Sequence, residues 1–136
     1  MPKRPLISEK ELAAVLQLDG EKRYRHIIKG VADWEVGLGL WQDGWALAED
    51  NDGRIGFPVW PAREYAEVAG WDVFPGHEPA EVAVADLLDE LRHNLRGKGY
   101  YFAVFPTPSG RGVYVEPDRL AEGLKEELRK YGHDDE

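Results

Sequence analysis

Tyr100-Tyr101-Phe102-Ala103-Val104-Phe105 is the stretch on which the fold turns. Large side chains occupy both alternating faces, the pattern of a central strand covered on both sides. Downstream, Pro106 to Gly112 is rich in Pro, Gly and Ser and reads as a loop. Val113-Tyr114-Val115 then returns as a strand antiparallel to its predecessor, completing a C-terminal hairpin. Pro117-Asp118 opens a helix whose apolar positions, Leu120, Leu124, Leu128 and Tyr131, share one face.

Upstream of the central strand, Leu87, Leu88, Leu91 and Leu95 mark one substantial helix, and Val82 to Val84 a brief strand. Trp71 to Pro79 reads as a loop. Pro61 suits the first position of a short helix through Arg63, Glu64, Tyr65 and Val68, with Gly70 as its stop. Leu38 to Gln42 and Trp45 to Glu49 flank Asp43-Gly44, the dipeptide a two-residue type I′ turn prefers. Asn51-Asp52-Gly53 leads on to Arg54 through Val59, so three strands form a meander. Pro58 has no N–H to give to a ladder, which places the end of the third strand at an edge or outside the sheet.

At the N-terminal end, Ser8 and Glu11 have capping-box spacing ahead of Leu12, Val15 and Leu16. Asp19 is placed to cap a second helix, where Tyr24, Ile27, Ile28, Val31 and Trp34 recur on one face. The expected fold is α+β. It comprises N-terminal helices, the meander and the hairpin in a small mixed or antiparallel sheet of five to six strands, packed with several helices. One domain over 8–131 is expected between a flexible N-terminus, 1–7, and an acidic tail, 132–136.

A chain of 136 residues with 43% apolar residues and five tryptophans can build a core. The absence of cysteine removes disulfides, thiolate nucleophiles, Cys-ligated zinc and iron–sulfur clusters. A net charge of −9 opposes the phosphate neutralisation on which nucleic-acid affinity rests, so no nucleic-acid partner is expected. No apolar run approaches the roughly 20 residues that span a bilayer. Glu9, Lys10 and Glu11 interrupt any signal-peptide core after Lys3 and Arg4, so residence in the cytoplasm, with no membrane partner, is the expectation.

Chemistry-bearing residues are sparse. His26, His77, His93 and His133 show no i, i+3 or i, i+4 pair that would put two ligands on one helix face, and no metal or other cofactor is expected. His26 and His93 read as polar-face helix residues, whereas His77 lies in the Gly76-His77-Glu78 loop. Glu49-Asp50-Asn51-Asp52-Gly53 misses the EF-hand register, because aligning Gly53 puts Ala48 and Val59 at ligand positions; it reads as a solvated turn. Thr107 to Gly112 could cradle an anion with Arg111 but lacks P-loop spacing and its lysine, so a hairpin loop is expected. Trp41 and Trp45 flank a turn, Trp60 follows Pro58 and Trp71 begins a loop, positions from which aromatics could form a binding patch or fill the core.

Val31-Ala32-Asp33-Trp34-Glu35, Gly44-Trp45-Ala46-Leu47, Phe57-Pro58-Val59-Trp60-Pro61 with Glu64-Tyr65-Ala66, and Ala103-Val104-Phe105-Pro106-Thr107-Pro108 together resemble the uncharacterised bacterial family domain of unknown function 2750. The resemblance covers approximately 20–122. It implies a small bacterial cytoplasmic protein and carries no catalytic residues to positions here. The functional expectation is a non-catalytic protein-interaction or regulatory module of immunity or inhibitor type, binding an unidentified protein. Trp45, Trp60, Arg63 and Tyr65 are the contact candidates, and alanine there is expected to abolish capture with little loss of melting temperature. The alternative is a small hydrolase or ligand-binding protein using the His77 loop or the Glu49-Asp50 region.

Overall fold

The computed structural model describes residues 7–107 and 112–130. Two helices come first, α1 (Glu9–Leu16) and α2 (Gly20–Trp34). Ser8 Oγ accepts from Glu11 N at 3.1 Å and Asp19 Oδ1 from Lys22 N at 2.9 Å, each satisfying an amide that a helix start leaves without an internal partner. Glu35, at φ 61, ends α2 in the left-handed region and turns the chain directly into β1 (Val36–Trp41).

The C-terminal half follows its periodicity closely. β5 (Tyr101–Val104) lies inside a four-stranded sheet of order β2-β3-β5-β6, with β2 (Ala48–Glu49), β3 (Ile55–Val59) and β6 (Val113–Val115). β3 and β5 run parallel, Phe57 opposite Phe102 and Val59 opposite Val104, while β6 is antiparallel to β5. Phe57, Val59, Phe102, Val104 and Val115 belong to the same buried cluster as Ile27 and Val31 of α2 and Leu120 and Leu124 of α6 (Pro117–Arg129). Each such side chain contributes roughly 1.5–3 kcal/mol on burial. The fold is α+β with a mixed strand arrangement, as its sequence pattern implies.

Pairing in the N-terminal half departs from a simple meander. β1 pairs along its whole length with β4 (Glu78–Ala83), antiparallel, from Val36 opposite Ala83 to Trp41 opposite Glu78. β1 meets the next segment only at a Trp41–Trp45 bridge, so Asp43-Gly44 sits in a three-residue loop rather than a two-residue turn. β2 pairs with the first residues of β3, and Leu38 exchanges both backbone bonds with Trp60 at 2.9 Å just beyond its end. β3 is therefore interior, not an edge. Pro58 is accommodated because alternate amides point the same way, and Trp60 N points at β1. Its nitrogen thus faces the gap between Leu38 and Ala48, where the neighbouring chain bulges away over 42–47.

Three further boundaries differ from the sequence pattern. α3 (Arg63–Val73) continues through Gly70, since glycine only weakens a helix whose ends are held elsewhere. β4 accordingly begins at Glu78 and includes Pro79. The leucine-rich helix is two, α4 (Val84–Leu88) and α5 (Glu90–Lys98), broken at Asp89, whose φ −125 and ψ −88 are not helical. Arg92 and Arg96 both reach Asp118, at 2.8 and 3.2 Å, and fasten α5 to the start of α6. Residues 1–6, Tyr131 and the acidic tail lie outside the described residues. Ile7 is tied down by its N–H to Glu64 Oε2 at 3.0 Å.

Candidate functional site

The exposed large hydrophobic side chains among the described residues, Trp41 and Leu47, stand at the two ends of the bulge between β1 and β2. Trp41 is 46% exposed and Leu47 43% exposed. Gly39 precedes Trp41 on the same face of β1, and a Cβ there would come within 3.0 Å of both the Phe57 and Trp45 rings. The missing side chain lets Trp45 lie flat on the strand. A graded aromatic series results, Trp41–Trp45 at 5.1 Å, Trp45–Phe57 at 5.3 Å and Phe57–Phe102 at 6.0 Å, running from solvent to the centre of the sheet. The loop is fixed by Gln42 N to Gly44 O at 3.0 Å and Ala46 N to Leu40 O at 2.8 Å, with Asp43 at φ 57. The rim is thus built on anchored backbone.

The His77 loop comes to this same rim. Glu78 is directly opposite Trp41 in the ladder, and a Cβ on Gly76 would meet Gln42 Nε2 at 2.7 Å. His77 N donates to Phe74 O at 3.1 Å and its ring packs edge-on to Phe74 at 5.8 Å. Its Nδ1 is enclosed and has no hydrogen-bond partner among the described residues. No group of three His, Asp or Glu able to hold a metal ion occurs among the described residues.

The Glu49-Asp50 region is organised as a turn. Asp50 Oδ1 accepts from Asp52 N at 3.0 Å and Arg54 N at 2.8 Å, while Oδ2 accepts from Arg54 Nε at 2.6 Å. Desolvation acts to raise the Asp50 pKa, but these bonds together with the guanidinium charge hold it below its usual value. Arg54 also lies over the rings of Tyr101 and Tyr114, at 5.7 and 5.6 Å. An open cleft of about 580 Å³ adjoins it, lined by residues including Asp50, Asp52, Arg54 and Tyr114. Both oxygens of Asp50 and the charge of Arg54 are already engaged, so the cleft offers neither a metal cage nor a free anion clamp. No hydrogen bond or ion pair among the described residues joins this turn to His77. Most of the Thr107–Gly112 loop, Arg111 included, lies outside the described residues.

The four contact candidates separate sharply. Trp45 is half-buried in the rim. Arg63 is exposed and pairs with Glu67 at 3.4 Å on the first turns of α3. Trp60 and Tyr65 have no exposed surface. Trp60 is locked between Leu38 and Pro106, and Tyr65 packs on Phe105 at 4.9 Å. These two rings present nothing for a partner to touch in this fold, and truncating Trp60 opens a core cavity instead of leaving the melting temperature unchanged. Trp41, a turn flank that is not among the four contact candidates, and Leu47, which the flanks do not mark, are the exposed residues here. The alternation Gly39, Trp41 beside a bulged loop is the signal that marks them.

A family model described as Protein of unknown function (DUF2750) matches residues 24–124. No curated protein and no solved structure matches the chain.

Proposed function

From the premise that the chain belongs to the family described as Protein of unknown function (DUF2750), we propose that it is a non-catalytic interaction or regulatory module that docks a protein on the Trp41–Trp45–Leu47 rim. The observation that carries this reading is the 46% exposure of Trp41 at the outer end of an aromatic series rooted in the core. A large, rigid aromatic side chain gives contact area at little entropic cost, and tryptophan is enriched among residues that dominate binding energy. An inhibitor or immunity protein is the version of this module whose partner is an enzyme. The same reading makes it a bacterial cytoplasmic protein, as the sequence resemblance implies; no helix among the described residues is long and apolar enough to cross a membrane.

The test is capture from native extract with tagged wild type beside a Trp41→Ala, Leu47→Ala variant, with thermal melts of both. A stoichiometric partner retained by wild type and lost by a variant that still melts cooperatively supports the rim. Equal capture by both overturns it.

A further inference from the structure

All 17 Lys and Arg of the chain lie outside two stretches, 30–53 and 64–91. The first holds six acidic residues and the second eight, with no basic residue in either. These are the two stretches that fold together. The first supplies β1 and the bulge; the second supplies α3 from Glu64 onward, β4 and α4; β1 and β4 pair, and α3 packs on both. The helices α2, α5 and α6 carry Lys and Arg; α6 packs on both α2 and α5, while α2 also meets β1 and α5 meets α4. β1, the bulge and β4 therefore carry acidic residues and no Lys or Arg, with Arg54 and Arg63 at their borders held by Asp50 and Glu67, and the rim sits on these elements.

Asp43, Glu49 and Glu78 border Trp41 and Leu47. Glu78 is cross-strand from Trp41, and all three are exposed. Neither they nor Glu81 form an ion pair among the described residues, in contrast to Asp50, Glu67 and Asp118. Unneutralised like charges repel one another and disfavour the compact state. They also select what can cover the indole. Phosphate-bearing polymers and anionic lipid are repelled, and a second copy docking rim to rim would set acid against acid.

We infer that the rim takes a cationic protein segment, an aliphatic or aromatic anchor seated beside Trp41 and Leu47 and flanked by Lys or Arg facing Asp43, Glu49 and Glu78. The inference rests on the reading of the rim as a docking surface and adds the chemistry of its occupant. Apolar contact supplies the anchor; the acidic border sets which anchors are admitted.

The probes are three short peptides: one alternating Lys with Leu, one with Glu for Lys, one with Ser for Lys. They are titrated into the full chain at low and moderate salt while the Trp41 indole and Leu47 methyl NMR signals are followed. The Lys peptide is expected to move both signals, and to bind about tenfold more weakly to an Asp43→Asn, Glu49→Gln, Glu78→Gln variant. Glu122→Gln, Glu126→Gln, which removes charge from the exposed face of α6, is expected to leave that affinity within about twofold. Equal movement by all three peptides overturns the cationic occupant while leaving the rim as a docking surface. Loss of affinity in the α6 variant instead, or no binding of the Lys peptide at low salt, also overturns it. Trp41 signals that shift with protein concentration alone make the occupant a second copy and overturn it as well. The Trp41→Ala, Leu47→Ala capture experiment judges the rim separately.

Discussion

The Trp60 indole donates through Nε1 to the carbonyl of Pro106 at 2.8 Å, joining the ends of the parallel strands β3 and β5 across 46 positions of sequence. The same residue bonds to Leu38 through both backbone groups. Trp60→Phe keeps an aromatic ring but removes the donor with the pyrrole half of the indole, leaving the Pro106 carbonyl without that partner, for an expected loss of about 1–3 kcal/mol from the bond and a smaller contribution from the partial void. Trp60→Ala adds a cavity, for about 3–5 kcal/mol. Urea denaturation of both, with an unchanged m-value, checks the two contributions; equal stabilities would show that the hydrogen bond alone decides.

Gly39→Ala places a methyl 3.0 Å from two aromatic rings. Neither ring can retreat far, because Trp45 is backed by Phe57 and Phe57 by Phe102. A destabilisation of about 1–3 kcal/mol is expected. Displacement of Trp45 outward should accompany it, read as a red shift of tryptophan emission.

Trp41→Ala and Leu47→Ala belong to the surface and behave differently. Trp41 gives up an edge contact with Trp45 worth about 0.5–1.5 kcal/mol, and Leu47 even less. Both variants are expected to melt within a few degrees of wild type. A collapse of the melting transition would assign Trp41 to the core.

His26 sits half-buried on α2, edge-on to Tyr65 at 6.2 Å and tilted against Phe105 at 6.3 Å. Burial lowers its pKa below the ordinary 6.5, with Glu11 acting weakly the other way. The unfolded chain therefore binds this proton more readily than the folded one. The resulting stability is whole above pH 6.5 and is lost as pH falls through the folded value. Wild type should lose more stability between pH 7.5 and 5.5 than His26→Gln; parallel losses would place the effect on another group.

Arg54→Ala removes both the bond and the charge that oppose desolvation of Asp50. The Asp50 pKa should rise, followed directly by the carboxyl carbon chemical shift. Because a depressed carboxylate pKa stabilises the fold above it, acid unfolding of the variant should begin at higher pH. The Tyr101 and Tyr114 ring signals should move as well, since the guanidinium no longer covers them.

Local chemistry was legible wherever it decides the outcome. The Ser8 and Asp19 caps, the covered strand at Tyr101–Val104 and the proline-led α6 depend on neighbours within a few residues. Partner choice was not legible, because β1 selects β4 rather than the adjacent β2 through contacts made only in three dimensions. Gly37 illustrates this: a Cβ there would meet Val59, Leu87 and Val31, from three different elements. The same nonlocality separates the tryptophans. Trp41 and Trp60 both end strands, yet Trp60 has β1 on one side and Pro106 on the other, while beyond Trp41 the chain bulges away. Trp45 and Trp60 read alike from their positions, yet Trp45 is half-buried and Trp60 is covered by a neighbour no local pattern announces.

The acidic border of the rim, set on β1, the bulge and β4 where no Lys or Arg occurs, gives that surface a local negative field in addition to the protein's net charge. A cationic segment near the rim is drawn to that border within about a Debye length, roughly 10 Å at 0.1 M salt. Added salt should slow the formation of such a complex far more than it hastens its dissociation, because the field sets the encounter and the indole sets the residence time.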